Sequence, residues 1–313
     1  MTARPERRDE AWYTPAHLPE AVKAFDTPLA GVAVGRAGKT GLLELDLAPV
    51  AGATRIVGQY HQAPLYIFQP IHLDPHRPDM AFVYLQQAGD GLVQGDRYRI
   101  DVRAAPGAAV HLTTQTATKI YGMRANLATQ LVHLTVGPDA VLEYLPDPVI
   151  PFRGSRFFGR TCLTVDPSAT VVLGEILLPG RVAFGESHDY DLYWSEVRVR
   201  EPGGKPLFRD VLNLVPATAS PTSPGRLGPH RVHATLHVLT RREHPSALCA
   251  AVDSALGAHP GVLAGASELP GACGITVRLL GPASTTVAAA LGAAWNAVRL
   301  RLLGAPAPDL RKG

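Results

Sequence analysis

Tyr98-Arg99-Ile100-Asp101-Val102-Arg103-Ala104-Ala105-Pro106-Gly107-Ala108-Ala109-Val110-His111-Leu112-Thr113 holds two apolar runs joined by a proline–glycine turn. From Tyr98 to Arg103 apolar and charged side chains alternate, which is the period of a strand with one wet face. Proline fixes φ and glycine accepts a positive one, so Ala104 to Gly107 reads as a hairpin connection into a second strand. Gly41-Leu42-Leu43-Glu44-Leu45-Asp46-Leu47 alternates in the same way. Short segments bounded by turn residues follow at 131–136, 141–145, 161–165, 170–178, 191–200 and 207–214. Nothing in this series alternates strand with helix. The pattern therefore predicts a mainly β chain of mostly antiparallel strands. No internal repeat is evident.

Two segments in the C-terminal third carry helical signals. One runs from Glu243 to Leu256 with Pro245 near its start. The other runs from Ser284 to Leu303, where Val287, Leu291, Trp295, Val298 and Leu302 recur at helical spacing. Residues 1–28 are polar and rich in proline and charge, and read as a loosely ordered arm. Residues 29–304 read as one domain, with a Pro/Ser/Thr/Gly-rich mobile loop at 217–229, and 305–313 as a tail.

With 313 residues, 46% of them hydrophobic, the chain is long enough to bury a sizeable core. Charged residues make up 18%, the formal net charge is +3, and no run of Lys and Arg offers a footprint for phosphates. That excludes a nucleic-acid partner. Cys162, Cys249 and Cys273 are too far apart for a disulfide framework and form no C-x-x-C pair. Residues 1–20 lack the order of a signal peptide, and no apolar run reaches membrane-spanning length. A cytoplasmic protein without a membrane partner is expected.

Enzymatic signatures are weak. Gly38-Lys39-Thr40 has the ending of a phosphate-binding loop, but Ala33 stands where a glycine is needed and a strand-like run follows where a helix is needed. Gly89-Asp90-Gly91 with Gly95 misplaces the third glycine of a dinucleotide loop. His230, His233 and His237 lie on a strand-like stretch that sets 233 and 237 on one face, so they read as surface histidines or a peripheral metal site. No G-x-S-x-G or H-E-x-x-H occurs.

Three segments are denser in special residues than folding needs: Gly89-Asp90-Gly91-Leu92-Val93-Gln94-Gly95-Asp96, Thr113-Thr114-Gln115-Thr116-Ala117-Thr118-Lys119-Ile120-Tyr121, and Leu142-Glu143-Tyr144-Leu145-Pro146-Asp147-Pro148-Val149-Ile150-Pro151-Phe152. The last places Asp147 between two prolines, in a backbone that proline stiffens. In this order and spacing they resemble the UreD family (UreH in some bacteria), which are urease accessory proteins. The resemblance continues in Leu178-Pro179-Gly180-Arg181-Val182-Ala183-Phe184-Gly185-Glu186, similar to the family segment P-G-R-x-A-x-G-E. It extends through Phe208-Arg209-Asp210 to Trp295 and Arg299, and covers Ala30 to Leu303. Gly122, where many members carry arginine, and the 217–229 loop depart from it.

The resemblance implies a β-helix-like scaffold of strands with a pair of helices, and no enzymatic activity. It implies binding of apo-urease and recruitment of UreF and, through it, the GTPase UreG. It implies no tightly bound cofactor, only nickel(II) in transit through an internal water-filled tunnel. Nickel(II) takes imidazole, thiolate and oxygen ligands, and a path must release its ion, which favours isolated carboxylates over a closed cage. Candidates for the path are Asp90, Asp96, Glu143, Asp147, Glu175 and Glu186, with Thr113, Thr114 and Gln115 beside them. Glu143 and Glu175 lie in apolar strand surroundings, where a polar lumen accounts for a charge. Lys119, Tyr121, Arg153 and Arg181 are candidates for partner contact. The residues alone leave open a β-rich hydrolase with paired carboxylates such as Glu143 and Glu175, and a binding module with no metal role.

Overall fold

Each strand that the alternation predicts is present, but most turns hand the chain to an opposite sheet. The computed structural model describes residues 5–27 and 38–310. Ala33, the 28/29 boundary and residues 311–313 of the tail lie outside the described residues. The first strands are β1 (Thr40–Val50), β2 (Ala53–Gln62), β3 (Leu65–Ile67) and β4 (Ala81–Gln87). Then come β5 (Arg97–Ala104), β6 (Ala109–Thr114), β7 (Thr118–Ile120), β8 (Ala128–Val136), β9 (Val141–Tyr144) and β10 (Val149–Pro151). The series continues with β11 (Arg156–Val165), β12 (Thr170–Leu177), β13 (Leu192–Arg200), β14 (Pro206–Leu214) and β15 (Val232–Leu239). β16 (Leu263–Glu268) and β17 (Gly274–Gly281) complete it.

One sheet runs β14-β13-β11-β8-β5-β1-β2, and the other β16-β17-β15-β12-β9-β6-β4-β3 with β7 and β10 attached. Within the first, β5, β8, β11 and β13 are parallel neighbours. Within the second, β4, β6, β9 and β12 are parallel neighbours too. The chain therefore coils as a β-solenoid, and the mainly β, β-helix-like expectation holds. The expected antiparallel pairing is corrected. It is confined to the ends of the stack, at β1–β2, β3–β4, β13–β14 and the β12–β15–β17–β16 run. Alternation reports which face a side chain takes and carries no signal for the direction of the neighbouring strand.

The expected hairpin at Pro106 is likewise a corner between sheets, because β5 and β6 lie in different ones. The corner recurs. Ala105-Pro106-Gly107-Ala108, Gly137-Pro138-Asp139-Ala140 and Asp166-Pro167-Ser168-Ala169 share the form x-Pro-x-Ala, and the final alanine of each is buried. Successive corners are bonded to one another, with Gly107 N donating to Pro138 O at 2.8 Å and Thr170 N to Ala140 O at 2.9 Å. An internal repeat thus exists where none was expected. Its invariant part is so short that the strands between corners, free to use any alternating residues, conceal it.

The inward faces of the two sheets form the main core, from Leu43 and Leu45 through Val102, Leu134 and Leu163 to Val171. The two predicted helices form where expected. Counting the short α1 (Glu20–Lys23), they are α2 (Pro245–Leu256) and α3 (Ser284–Leu303), and they cover the outer face of the second sheet. Val287, Trp295 and Val298 of the stripe are buried there, with Leu291 and Leu302 packed at the margin. Within the arm, Val22 is buried against Leu131, Phe158 and Trp194, and Trp12 lies over the Arg99 guanidinium at 3.6 Å. Between 217 and 229 the chain makes successive turns, with Leu227 buried.

One buried ionic group fastens α3 to the sheet. Arg299 donates to Glu143 at 2.9 and 3.1 Å and also to Asp74, and all three side chains are inaccessible to solvent or nearly so. Trp295 Nε1 and His111 Nδ1 reach the same Glu143 carboxylate at 3.0 and 2.8 Å. Burial pushes that carboxyl up, but His111, Arg299 and Trp295 outweigh it and hold it below the usual range. Removing one partner leaves an uncompensated buried charge. Arg299→Met, close in length but uncharged, is expected to cost about 3–5 kcal/mol, read as a lower midpoint in urea unfolding.

Candidate functional site

The core between the sheets is not filled throughout. Two cavities of about 90 and 80 Å³ share Thr114, Thr118, Gln130 and Tyr144 in their walls. They are polar because the inward positions of particular strands are polar. On β15, Ala234, Leu236 and Val238 face the helices, so His233, Thr235 and His237 face inward. β13 contributes Tyr193 and Ser195, β12 Glu175, and β14 Asp210. At one end Asp210 and Arg278 reach solvent, and at the other Asp90 and Lys119 do.

The wall groups are electrostatically uneven. Glu175 accepts from Tyr193 Oη at 2.9 Å and from Ser195 Oγ. It lines the cavity, and burial pushes its carboxyl above the usual range against those two hydrogen bonds. Burial, aided by the charge of Arg278, drops His233 to about 4. Its imidazole is therefore uncharged at neutral pH. His233 Nδ1 and His237 Nδ1 are buried without a hydrogen-bond partner. His237 Nε2 lies 3.4 Å from Asp210, which also accepts from Arg278 at 2.6 Å. Although burial opposes it, those two partners hold Asp210 well below the usual carboxylate range. Among the described residues, no three His, Cys, Asp or Glu side chains gather into a metal cage.

Five of the nine path candidates line these cavities: Asp90, Thr114, Gln115, Asp147 and Glu175. Asp147 and Thr114 bond each other, with Asp147 N donating to Thr114 Oγ1 at 2.8 Å. The other four are placed elsewhere. Asp96 is buried and caps a turn, accepting from Val93 N and Lys39 N at 3.0 Å. Thr113 donates to Leu145 O at 2.6 Å. Glu186 pairs with Arg181. Glu143 belongs to the α3 clamp. It sits in register with Val172, which faces the helices, whereas Glu175 faces the cavity. The two carboxylates thus lie on opposite sides of one sheet, so Glu143 and Glu175 do not form a catalytic pair.

His233 and His237 are not peripheral, as expected, but buried in the cavity wall; His230 precedes β15 and stays half-exposed. Sequence reasoning also missed Gln130, Tyr193, Ser195, Thr235 and Asp210 as lining. The alternation of β15 was the available signal, since a strand with apolar residues on its helix side and His, Thr and His on the other asks for a polar interior.

Among the partner candidates, Tyr121, Arg153 and Arg181 gather round Phe152. Arg181 lies over that ring at 4.2 Å and over Phe184 at 5.1 Å, and Phe184 is 76% exposed. Tyr121 meets Phe152 edge-on at 4.9 Å, and Arg153 pairs with Asp189 at 2.9 Å. Lys119 stands apart, beside Asp90 at the cavity mouth. There Gly91 is obligatory, because a Cβ on it would fall 2.3 Å from Lys119 O.

The family pattern described as UreD urease accessory protein matches residues 39–312. The chain belongs to the UreD family. A Streptomyces griseus protein named urease accessory protein UreD 2 is 44% identical over 90% of this chain and 96% of its own length. The UreD proteins of Cenarchaeum symbiosum and Haloarcula marismortui are 36% and 37% identical, over 89% and 90% of this chain and 98% and 93% of theirs. This chain is thus a urease accessory protein of the UreD family. No helix among the described residues is long and apolar enough to cross a membrane.

The buried imidazole makes stability depend on pH. An ordinary histidine titrates near 6.5 and folded His233 near 4, so between those values the unfolded chain binds the extra proton. Stability contributed by the uncharged ring is present above that window and lost as pH falls through it, by about 3 kcal/mol. Glu175, raised by burial, acts in the opposite sense. Urea unfolding of His233→Asn across the same window is expected to lack the His233 loss that the parent chain shows.

Proposed function

We propose that this UreD family chain is a non-catalytic nickel-insertion chaperone of the cytoplasm. It binds apo-urease, recruits UreF and through it UreG, and passes nickel(II) along the space between its sheets. The polar cavity carries this reading. A dehydrating cation needs oxygen and imidazole donors, and an uncharged imidazole with a free lone pair is a competent one. His233, His237, Glu175, Asp147 and Asp210 offer such donors. They are spread along the wall, so each contact is weak enough to release the ion to the next. Nickel is cargo here, and the protein's contribution is a lined route shielded from competing ligands. The Phe152–Phe184 patch suits a protein partner, because arginine stacked between aromatic rings is a favoured interface anchor.

Two experiments separate the route from the docking. Glu175→Gln combined with Asp147→Asn, co-expressed with urease and its other accessory proteins, is expected to lower nickel per urease active site roughly tenfold. Capture of apo-urease and UreF should survive in that variant, and full nickel loading would refute the route. Phe184→Ala is expected instead to weaken that capture by about 2 kcal/mol, in pull-downs with the tagged chain.

A further inference from the structure

A second chemical arrangement lies outside the cavity. On the outer face of the first sheet one rung crosses five strands: Asp101 on β5, His133 on β8, Cys162 on β11, Arg198 on β13 and Arg209 on β14. His133 is the direct cross-strand neighbour of Cys162, and its imidazole favours the thiolate there. On its far side His133 Nδ1 lies 3.0 Å from the Asp101 carboxylate, a charge contact off the hydrogen-bond direction. Asp101 is held in turn by Arg99 Nε at 2.9 Å. A carboxylate, an imidazole and a thiol in line is the order that removes a thiol proton and stabilises the imidazolium that results.

The charges around the sulfur reinforce this. Arg198 flanks Cys162 on the side away from His133, and Arg160 precedes it by one turn of the pleat on the same face. Glu196, opposite Arg160 on β13, is occupied by Arg160, Arg198 and Arg209 at 2.8, 2.6 and 2.5 Å. Burial opposes ionisation of Cys162, but His133, Arg160 and Arg198 outweigh it and draw the thiol below its usual range. Cys249 and Cys273 are pushed the other way, by burial. Cys162 is half-buried and therefore within reach of a small reagent. A thiol in electropositive, partly exposed surroundings is the reactive kind.

We propose that Cys162 is a modification site, a nucleophilic thiol that a hydroperoxide oxidises and a small carboxylate-bearing thiol then caps. The thiol proton passes to His133. The sulfur attacks the terminal peroxide oxygen, the O–O bond breaks and an S–O bond forms. His133 returns the proton to the departing oxygen, which with hydrogen peroxide leaves as water. The sulfur has lost two electrons and the peroxide has gained them. The second thiol then forms an S–S bond, and its proton leaves with the sulfenic oxygen as water. Arg198 and Arg209, about half-exposed along the same rung, are placed to receive the carboxylates of the cap.

The full folded chain is treated with iodoacetamide across neutral pH, and alkylation is followed at each cysteine by mass spectrometry. Cys162 is expected to react at least about threefold faster than Cys249 at neutral pH. In urea, where the fold no longer distinguishes them, the three cysteines should react alike. His133→Gln should remove the lead and move the Cys162 profile to higher pH. Hydrogen peroxide followed by glutathione should leave a mixed disulfide on Cys162. A Cys162 no faster than Cys249 in the folded parent chain overturns the proposal whether or not the variant folds. So does a profile that His133→Gln leaves in place.

Discussion

The structure depends on a requirement of backbone bonding. A strand in the middle of the stack has no hairpin partner, so its N–H and C=O groups must be satisfied by the coils before and after it. That fixes parallel register over β5, β8, β11 and β13. It also demands corners tight enough to stack, which is why the x-Pro-x-Ala turns end on buried Ala108, Ala140 and Ala169. The ends of such a stack would expose open edges. Antiparallel additions, β2 with β3 at one end and β14 with β16 at the other, terminate both sheets.

The same geometry makes the interior tunable. Every coil offers inward positions at alternate residues, and their side chains decide whether the space is oily or wet. Through Val102, Leu134 and Leu163 the choice is apolar and the space is packed. Near β12 to β15 it turns to Glu175, Ser195, Thr235 and the two histidines, and the space opens. The polar groups there are costly to bury without partners, and a bare imidazole nitrogen in the wall is a cost that folding alone does not explain.

Alternation made the strands legible, helical spacing the two C-terminal helices, and the order of three unusual segments the family. Strand direction was not legible, because a period of two is the same whichever way a neighbour runs. For the site, the distinction between Glu143 and Glu175 was hidden for a related reason. Both are acids in apolar strands, but the register of β9 against β12 sends one to the helices and the other to the cavity. Asp96 and Thr113 looked like lining because they are polar and dense in sequence, yet each is used up by a neighbouring backbone group. The cavity histidines were visible as a pattern, but their burial depends on β14 and β17 closing over them from distant parts of the chain.

The clamp around Glu143 also bears on the order of synthesis. Arg299 meets Asp74 across 225 residues and Glu143 across 156. A ribosome delivers the two carboxylates long before the guanidinium that neutralises them. Coils completed early therefore wait with a charged, uncovered flank until α3 emerges, and their final closure is set by that helix. Until then the nascent chain is open along the face that α2 and α3 later seal.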